Sequence, residues 1–314
     1  MLVVLGIVAA LALALGVFIA ATWAPDRSVE ELKARWAPPP SVFLDVAGMQ
    51  VHLRNEGPRD DPSPIVLLHG GGSSLHAWEG WAQALKGERR VIRFDMPGFG
   101  LTGPSPDGRY GGDNDVRLVI AILDKLGVAR CVIGGNSMGG AIAWRTALAY
   151  PARVDKLILV DAGGYPFRGG STPLGFRLMR IPGAGWLLQN TLPRFLVAQG
   201  LRKMFGDPSK VTPEMVDRYV DLTQRAGNRR ALIERTRQRA SGSDGLAARI
   251  SELKVPTLIM WGGHDRLIPP ENAERFHRDI AGSTLVMFDD LGHAPDEEDP
   301  ERTVVAVKQF LGLN

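Results

Sequence analysis

A mostly parallel α/β sheet of eight strands, with helices on both faces and a helical insertion over one edge, is the fold class this sequence predicts. Three observations carry the prediction. Beyond residue 41, short β-branched runs alternate with helix-length amphipathic segments, the pattern of a sheet assembled from strand-helix-strand units. The stretch Gly135-Asn136-Ser137-Met138-Gly139-Gly140 stands directly between an apolar run and a helical segment. Finally, about ninety residues separate two consecutive strands, which is too long for a loop.

The chain opens on an apolar run, Leu2 to Ala24, that holds no charged residue. At about 1.5 Å per residue it is long enough to cross a hydrocarbon core of roughly 30 Å. Nothing basic precedes it except the amino terminus, and it is longer than the apolar part of a cleavable signal peptide, so residues 1–24 read as an uncleaved single-pass membrane anchor. Residues 25–40 then read as a stalk, with Asp26 to Trp36 charged and helical and Ala37-Pro38-Pro39-Pro40 stiff and extended. Arg27, Lys33 and Arg35 follow the span and no charged side chain precedes it, which by the positive-inside rule favours a cytoplasmic catalytic domain.

Residues 41–162 and 254–314 make the core. Val42 to Val46 and Gln50 to Asn55 flank a turn at Gly48 and form an opening hairpin. Buried strands follow at Pro64 to Leu68, Arg89 to Phe94, Arg130 to Gly134, Lys156 to Val160, Thr257 to Trp261 and Thr284 to Phe288. Helices are expected near His76 to Lys86, Asp113 to Leu126, Met138 to Tyr150, Pro270 to Ile280 and Pro300 to Leu311. Residues 163–253 are the insertion, a helical lid whose apolar faces recur over Leu174 to Met179, Trp186 to Leu188, Leu192 to Met204, Thr212 to Ala226 and Arg229 to Ala240. Ligands of open α/β sheets bind at the carboxyl ends of the strands, so such a lid would wall the substrate pocket.

Composition narrows the chemistry. Of 314 residues 45% are hydrophobic and 23% charged, an ordinary globular balance. One cysteine, Cys131, excludes an intramolecular disulfide framework and a multi-cysteine metal site. The net charge of +3 is uneven: between Gly163 and Leu253 fifteen Arg/Lys face seven Asp/Glu, which leaves −5 on the rest. A solvated Arg-rich surface is the plain explanation, and attraction to anionic headgroups or acidic substrates the other.

The Gly-x-Ser-x-Gly stretch carries the strongest signal. A turn from strand to helix strains the serine backbone and crowds its neighbours, so glycines are needed on both sides, and Ser137 Oγ is presented at the tip of the sheet. Serine is a weak nucleophile at neutral pH and needs an imidazole to take its proton and a carboxylate to orient that imidazole. Asp265, after the Thr257 to Trp261 strand, and His293, after the Thr284 to Phe288 strand, lie on loops at the same edge. Asp161, at the end of the preceding strand, is the rival acid. None of the competing histidines, His52, His69, His76, His264 and His277, follows the last strand as His293 does. His69-Gly70-Gly71-Gly72 lets backbone N–H groups approach a developing oxyanion, with Gly71 and Met138 the expected donors. His76, Asn136 and Trp186 are the expected substrate-binding side chains. Phe176, Leu178, Met179, Leu187, Leu188, Phe195 and Phe205 are further apolar groups for pocket, membrane or helix packing.

With His69-Gly-Gly-Gly72, Asp95-Met-Pro-Gly-Phe-Gly100, Gly135-Asn-Ser-Met-Gly-Gly140, Gly263-His-Asp265 and Gly292-His293, the chain after the stalk resembles the α/β-hydrolase family. The wording around Ser137, together with Asp207-Pro208 and Thr212-Pro-Glu-Met215, is similar to the meta-cleavage product hydrolases, which break a carbon–carbon bond in vinylogous diketones. Those enzymes carry Trp after the catalytic histidine, where Ala294 stands here, and a lid arginine whose nearest match is Arg218, one residue early. The resemblance implies hydrolysis of a small acyl substrate without cofactor or metal. Cleavage of a fairly apolar carboxylic ester through an acyl-enzyme on Ser137 ranks first, carbon–carbon hydrolysis second, and a non-catalytic binding protein on the same scaffold is the alternative from another class. The membrane is expected as a partner through the N-terminal helix and nucleic acid is not, while the sequence leaves the oligomeric state open.

Overall fold

The computed structural model of the protein describes residues 1–166, 181, 183–241 and 245–314. Eight strands form one sheet: β1 (Val42–Val46), β2 (Met49–Glu56), β3 (Ile65–Leu68), β4 (Val91–Phe94), β5 (Cys131–Asn136), β6 (Val154–Val160), β7 (Thr257–Gly262) and β8 (Thr284–Phe288). Their spatial order is β1-β2-β4-β3-β5-β6-β7-β8. The pairs β1–β2 and β2–β4 are antiparallel and the rest parallel, as the sequence predicts for a mostly parallel sheet. The hairpin turns on Ala47 and Gly48, both at positive φ (51° and 77°). Two left-handed residues in a row match the twist of the flanking strands.

Two helices precede the sheet, α1 (Leu2–Thr22) and α2 (Val29–Trp36). Within the sheet region lie α3 (Glu79–Leu85), α4 (Gly112–Lys125) and α5 (Met138–Ala149). Between β6 and β7 stand α6 (Ala184–Asn190), α7 (Arg194–Met204), α8 (Pro213–Thr223) and α9 (Asn228–Ser241). The chain closes with α10 (Glu271–Asp279), α11 (Pro295–Glu298) and α12 (Pro300–Leu311).

Both faces of the central strands are covered, which is why those strands are apolar throughout. Side chains alternate across a strand, so Val66, Leu68, Ile133 and Leu159 pack with α4, α5 and α10, while Ile65, Leu67, Val132 and Ile158 pack with α3 and α12. Helix α1 is apolar all round and exposed along its length, the condition of a helix with no protein surface to bury against.

The insertion has a small core of its own, made by Ala198, Leu201, Phe205, Val211 and Val216, and Ala294 of the last strand's loop completes it. Helix α8 starts where Thr212 Oγ1 accepts the Met215 N–H (3.1 Å), with Pro213 in the first turn. Phe205 is thus a packing residue, whereas Phe195 is exposed. The helix expected over Leu174 to Met179, with Phe176, Leu178 and Met179, lies outside the described residues.

The segment expected to be a stalk is docked on the globular domain. Ser28 and Glu31 close a capping box at the start of α2, and Leu32 and Trp36 are buried with Leu101 of the core and Leu222 of α8. Trp36 Nε1 donates to Asp221 (2.9 Å), and Arg27 pairs with the same carboxylate (2.7 Å). The prolines are not extended either: Ser41 N–H donates to Pro38 O (3.1 Å), closing a turn. The apolar side of α2 found a partner surface far away in sequence, and burying it outweighs the freedom of a tether.

Candidate active site

Strands β3 to β8 run parallel, so the residues that follow them emerge at one edge. Ser137 stands between β5 and α5 at φ 53° and ψ −111°, a strained conformation for any residue but glycine. The surrounding packing enforces it. A Cβ on Gly135 would stand 2.3 Å from the Gly139 carbonyl carbon, and one on Gly139 would stand 2.0 Å from Leu68 O. The Ser137 N–H donates to Val160 O (3.0 Å), and Ser137 O accepts from Gly163 N–H (2.9 Å) and Ala141 N–H (3.0 Å), so the turn is held on three sides.

The expected acid and base meet. Asp265 Oδ1 accepts the N–H groups of Leu267 (2.7 Å) and Ile268 (3.0 Å), and Oδ2 lies 2.7 Å from His293 Nδ1. A carboxylate partner at Nδ1 places the imidazole proton there and leaves Nε2 as the basic nitrogen. Both groups are buried, His293 at 3% and Asp265 at 5% exposure. The His293 loop is fixed through its backbone: its N–H donates to Met204 O (2.6 Å) and its carbonyl accepts from Asn136 Nδ2 (2.9 Å). The His69 loop runs beside the serine, since a Cβ on Gly70 would lie 3.5 Å from Ser137 Cβ and one on Gly71 would lie 3.9 Å from Met138 Sδ. Met138 opens α5, where a helix has N–H groups without an intrahelical acceptor. That loop is set by His69, whose Nε2 accepts the Met96 N–H (3.0 Å) while Nδ1 donates to Gly70 O (2.8 Å).

The three side chains expected to bind substrate each have neighbours within the protein. His76 donates from Nε2 to Trp36 O (2.8 Å) and accepts at Nδ1 from Ser74 Oγ (3.0 Å), and burial pushes its pKa down to about 3. It clasps the docked N-terminal segment to the core. Asn136 donates its amide to the His293 carbonyl, so it positions the His293 loop. Trp186 is 59% exposed and leans on Trp23 at the end of α1, with 6.1 Å between ring centroids.

Other groups of the site escape a reading of local pattern. Glu298 of α11 accepts the N–H groups of Gly206 (2.9 Å), Asp207 (2.7 Å) and Gly292 (2.8 Å), and so ties the insertion to the His293 loop. Arg218 pairs with Glu297, which also accepts from Tyr219 Oη (2.9 Å); Tyr219 reaches Ser73 Oγ (3.1 Å) beside the His69 loop. Asp95 of the Met-Pro-Gly-Phe-Gly stretch accepts the Leu75 (2.7 Å) and Leu101 (2.8 Å) N–H groups and His52 Nδ1 (2.7 Å). Burial opposes its charge, but His52 and the other facing histidines hold its pKa well below the usual carboxylate range. A recess of about 250 Å³ opens between Gly72 and Ser73, Gly98 to Gly100, and Leu222 and Leu232 of the insertion.

Asp161 stands beside Asp265. It is buried at φ 45°, its Oδ1 accepts the Gly262 N–H (3.0 Å), and its side chain meets the Asp265 carboxyl. Burial, and next the charge of Asp265, push its pKa well above the ordinary carboxylate value. Ligand atoms of Asp161, Asp265 and His293 lie within 4.8 Å of one another, the one cluster with metal-ligand spacing among the described residues. Asp265 and His293 Nδ1 are already spent on each other and on backbone N–H groups, so this donor set suits proton transfer better than a cation.

Comparison with known proteins places these features. A family model described as alpha/beta hydrolase fold matches residues 63–300. A 2-hydroxy-6-oxononadienedioate/2-hydroxy-6-oxononatrienedioate hydrolase of Pseudomonas putida is 30% identical over 272 residues, 84% of this chain and 92% of that protein. Among solved structures, a meta-cleavage product hydrolase from Pseudomonas fluorescens IP01 superposes with a TM-score of 0.73 at 28% identity, covering 87% of this chain and 97% of the other. A bacterial membrane phospholipase A shares the fold at 24% identity and TM-score 0.73, over 98% of this chain and 97% of the other.

Proposed function

The chain belongs to the α/β-hydrolase fold family and is a hydrolase of that fold, and from that premise we propose a serine hydrolase with Ser137 as nucleophile, His293 as general base and Asp265 as orienting acid. The observation that carries this is the 2.7 Å contact of Asp265 with His293 Nδ1 at the edge where the strained Ser137 stands. His293 Nε2 takes the proton of Ser137 Oγ as the oxygen attacks a substrate carbonyl, and the N–H groups of Gly71 and Met138 receive the oxyanion. The proton passes to the leaving group, and water activated by His293 then frees the acid from the serine. Asn136 and Glu298 hold the base loop.

The first reading of the scissile bond is carbon–carbon, as in the named relatives, and it displaces the order expected from sequence. The breaking bond leaves its electron pair on carbon, so the substrate must delocalise that charge into a conjugated carbonyl. A second reading, a fairly apolar ester, is favoured by one observation. The relatives' named substrates are dicarboxylates, which call for free cations, yet Arg218, which lines a second, smaller recess with Gly72, Ser73 and Ser74, is already paired with Glu297. Helix α1 is read as a membrane anchor and residues 163–253 as the roof of the site, with the catalytic domain on the cytoplasmic side as Arg27, Lys33 and Arg35 favour.

Fluorophosphonate labelling of the detergent-solubilised protein tests the nucleophile. The label is expected on wild type and lost in Ser137→Ala, whose turnover drops by about five to six orders of magnitude; equal labelling of both proteins removes Ser137 from its role. Assay of a ring-cleavage dienoate beside p-nitrophenyl esters of graded length decides between the readings. Faster turnover of the dienoate supports carbon–carbon hydrolysis, and faster turnover of an ester reverses the order.

A further inference from the structure

We propose that the exposed apolar face formed by Trp23, Ile181, Trp186, Phe195 and Leu196 is a bilayer-docking surface, which rests the helical insertion on the leaflet where α1 emerges. The inference rests on the reading of α1 as a membrane anchor and deepens it, since an anchor alone leaves the domain free to lean in any direction. Two sets of observations carry it.

The first is mechanical. The residues that leave α1 run along the insertion as an added edge: Leu192 N–H donates to Thr22 O (3.0 Å) and Ala24 N–H to Asn190 O (2.9 Å). Arg27 N–H then donates to Gln224 O (2.8 Å), and Ala226 N–H to Arg27 O (2.8 Å). Asp26 pairs with Arg229 (2.6 Å) and Arg27 with Asp221 (2.7 Å). The end of the span is therefore bonded to the α6–α7 junction and to the α8–α9 junction, and the insertion is held at the level where the apolar helix ends.

The second is chemical. Around that junction four large apolar side chains are exposed: Trp23 (51%), Trp186 (59%), Ile181 (50%), whose carbonyl accepts the Ala184 N–H at the start of α6, and Phe195 (55%), with Leu196, in the first turn of α7. Trp23 and Trp186 lean together, and tryptophan is the residue enriched where hydrocarbon meets headgroups. Arg202 and Lys203 are exposed further along the same helix, as an anionic headgroup layer requires. An apolar patch rimmed by cations and continuous with a membrane span fits a phospholipid interface.

Single-cysteine labelling of the full chain tests this, because Cys131 is buried with its thiol pushed up to about 12 and will not compete for the label. Phe195→Cys, Leu11→Cys in α1 and Val305→Cys on the outer face of α12 are each labelled with bimane. The proteins are then reconstituted in phosphatidylcholine–phosphatidylglycerol vesicles and quenched either by nitroxide lipids or by aqueous iodide. The label at 195 is expected to be quenched several-fold more by lipid nitroxide, and several-fold less by iodide, than the label at 305. A position-195 label that behaves like position 305, with position 11 reached by lipid alone, overturns the docking surface and leaves the anchor standing. Iodide access at position 11 overturns the anchor and the inference with it. Shielding of position 195 from both quenchers means that a second copy covers the face, which also overturns it.

Discussion

Asp161 and Asp265 are two buried carboxyl groups in one small space, and burial together with the charge of Asp265 raises the pKa of Asp161. Asp265 faces His293 at 2.7 Å. In the unfolded chain Asp161 ionises near its ordinary value of 3.8, and in the fold it does so well above that. The unfolded state then binds fewer protons, so this group's contribution to stability is full below 3.8 and falls as pH rises toward its folded value. Asp161→Asn keeps the shape and the acceptor for Gly262 N–H without that loss. Its melting temperature relative to wild type is expected to climb as pH rises above 3.8, with turnover kept within about tenfold. His76 titrates with the opposite sign: held neutral down to about 3, it contributes stability that is present above 6.5 and lost as pH falls toward 3. His76→Asn is expected to cost about 1–3 kcal/mol in chemical denaturation, to flatten that acid limb and to leave KM unchanged, because the ring serves Trp36 and Ser74. A raised KM would return His76 to the substrate pocket. At this scale the sequence named Ser137, Asp265 and His293 from their places after strands, but not the second duty of Asn136 or His76, since nothing local reveals which atoms a side chain will meet.

Helices and loops show the same division. The insertion helices were legible because each carries an apolar face and α8 opens on Thr-Pro. Helix α11 was not: four residues are too few to show a period, yet its Glu298 joins three backbone N–H groups from both sides of the site. Glu298→Gln replaces a carboxylate that accepts three bonds by an amide with one acceptor oxygen, and is expected to cost about 2–3 kcal/mol. Because Gly292 is one of the partners, kcat should fall more than KM rises; unchanged kinetics in a destabilised variant would confine Glu298 to a structural role. Helix α2 illustrates the remaining gap. Its capping box and charges suit a free helix and a docked one equally, and only Leu101 and Leu222, remote in the chain, decide between them.

Taken whole, the insertion is fastened to the core rather than hinged on it. Glu298, the Arg218–Glu297 pair, the Met204–His293 backbone bond and the buried Arg235–Asp115 pair (2.6 Å) join the two units at separate points. Calorimetry of the solubilised protein is expected to show a single unfolding transition, and two resolved transitions would mean that the insertion folds on its own. By itself the sequence determined the eight strands in their places along the chain, the membrane-length apolar helix, and the serine, aspartate and histidine that follow strands. Each of these is written in periodicity or in neighbours along the chain. Tertiary structure alone decided which polar groups were free for chemistry and which were spent. It paired Arg218 with Glu297, raised the pKa of Asp161 beside Asp265, and docked the stalk segment against the insertion. Burial and charge pairing act between residues that only the fold brings together, and no local pattern records them.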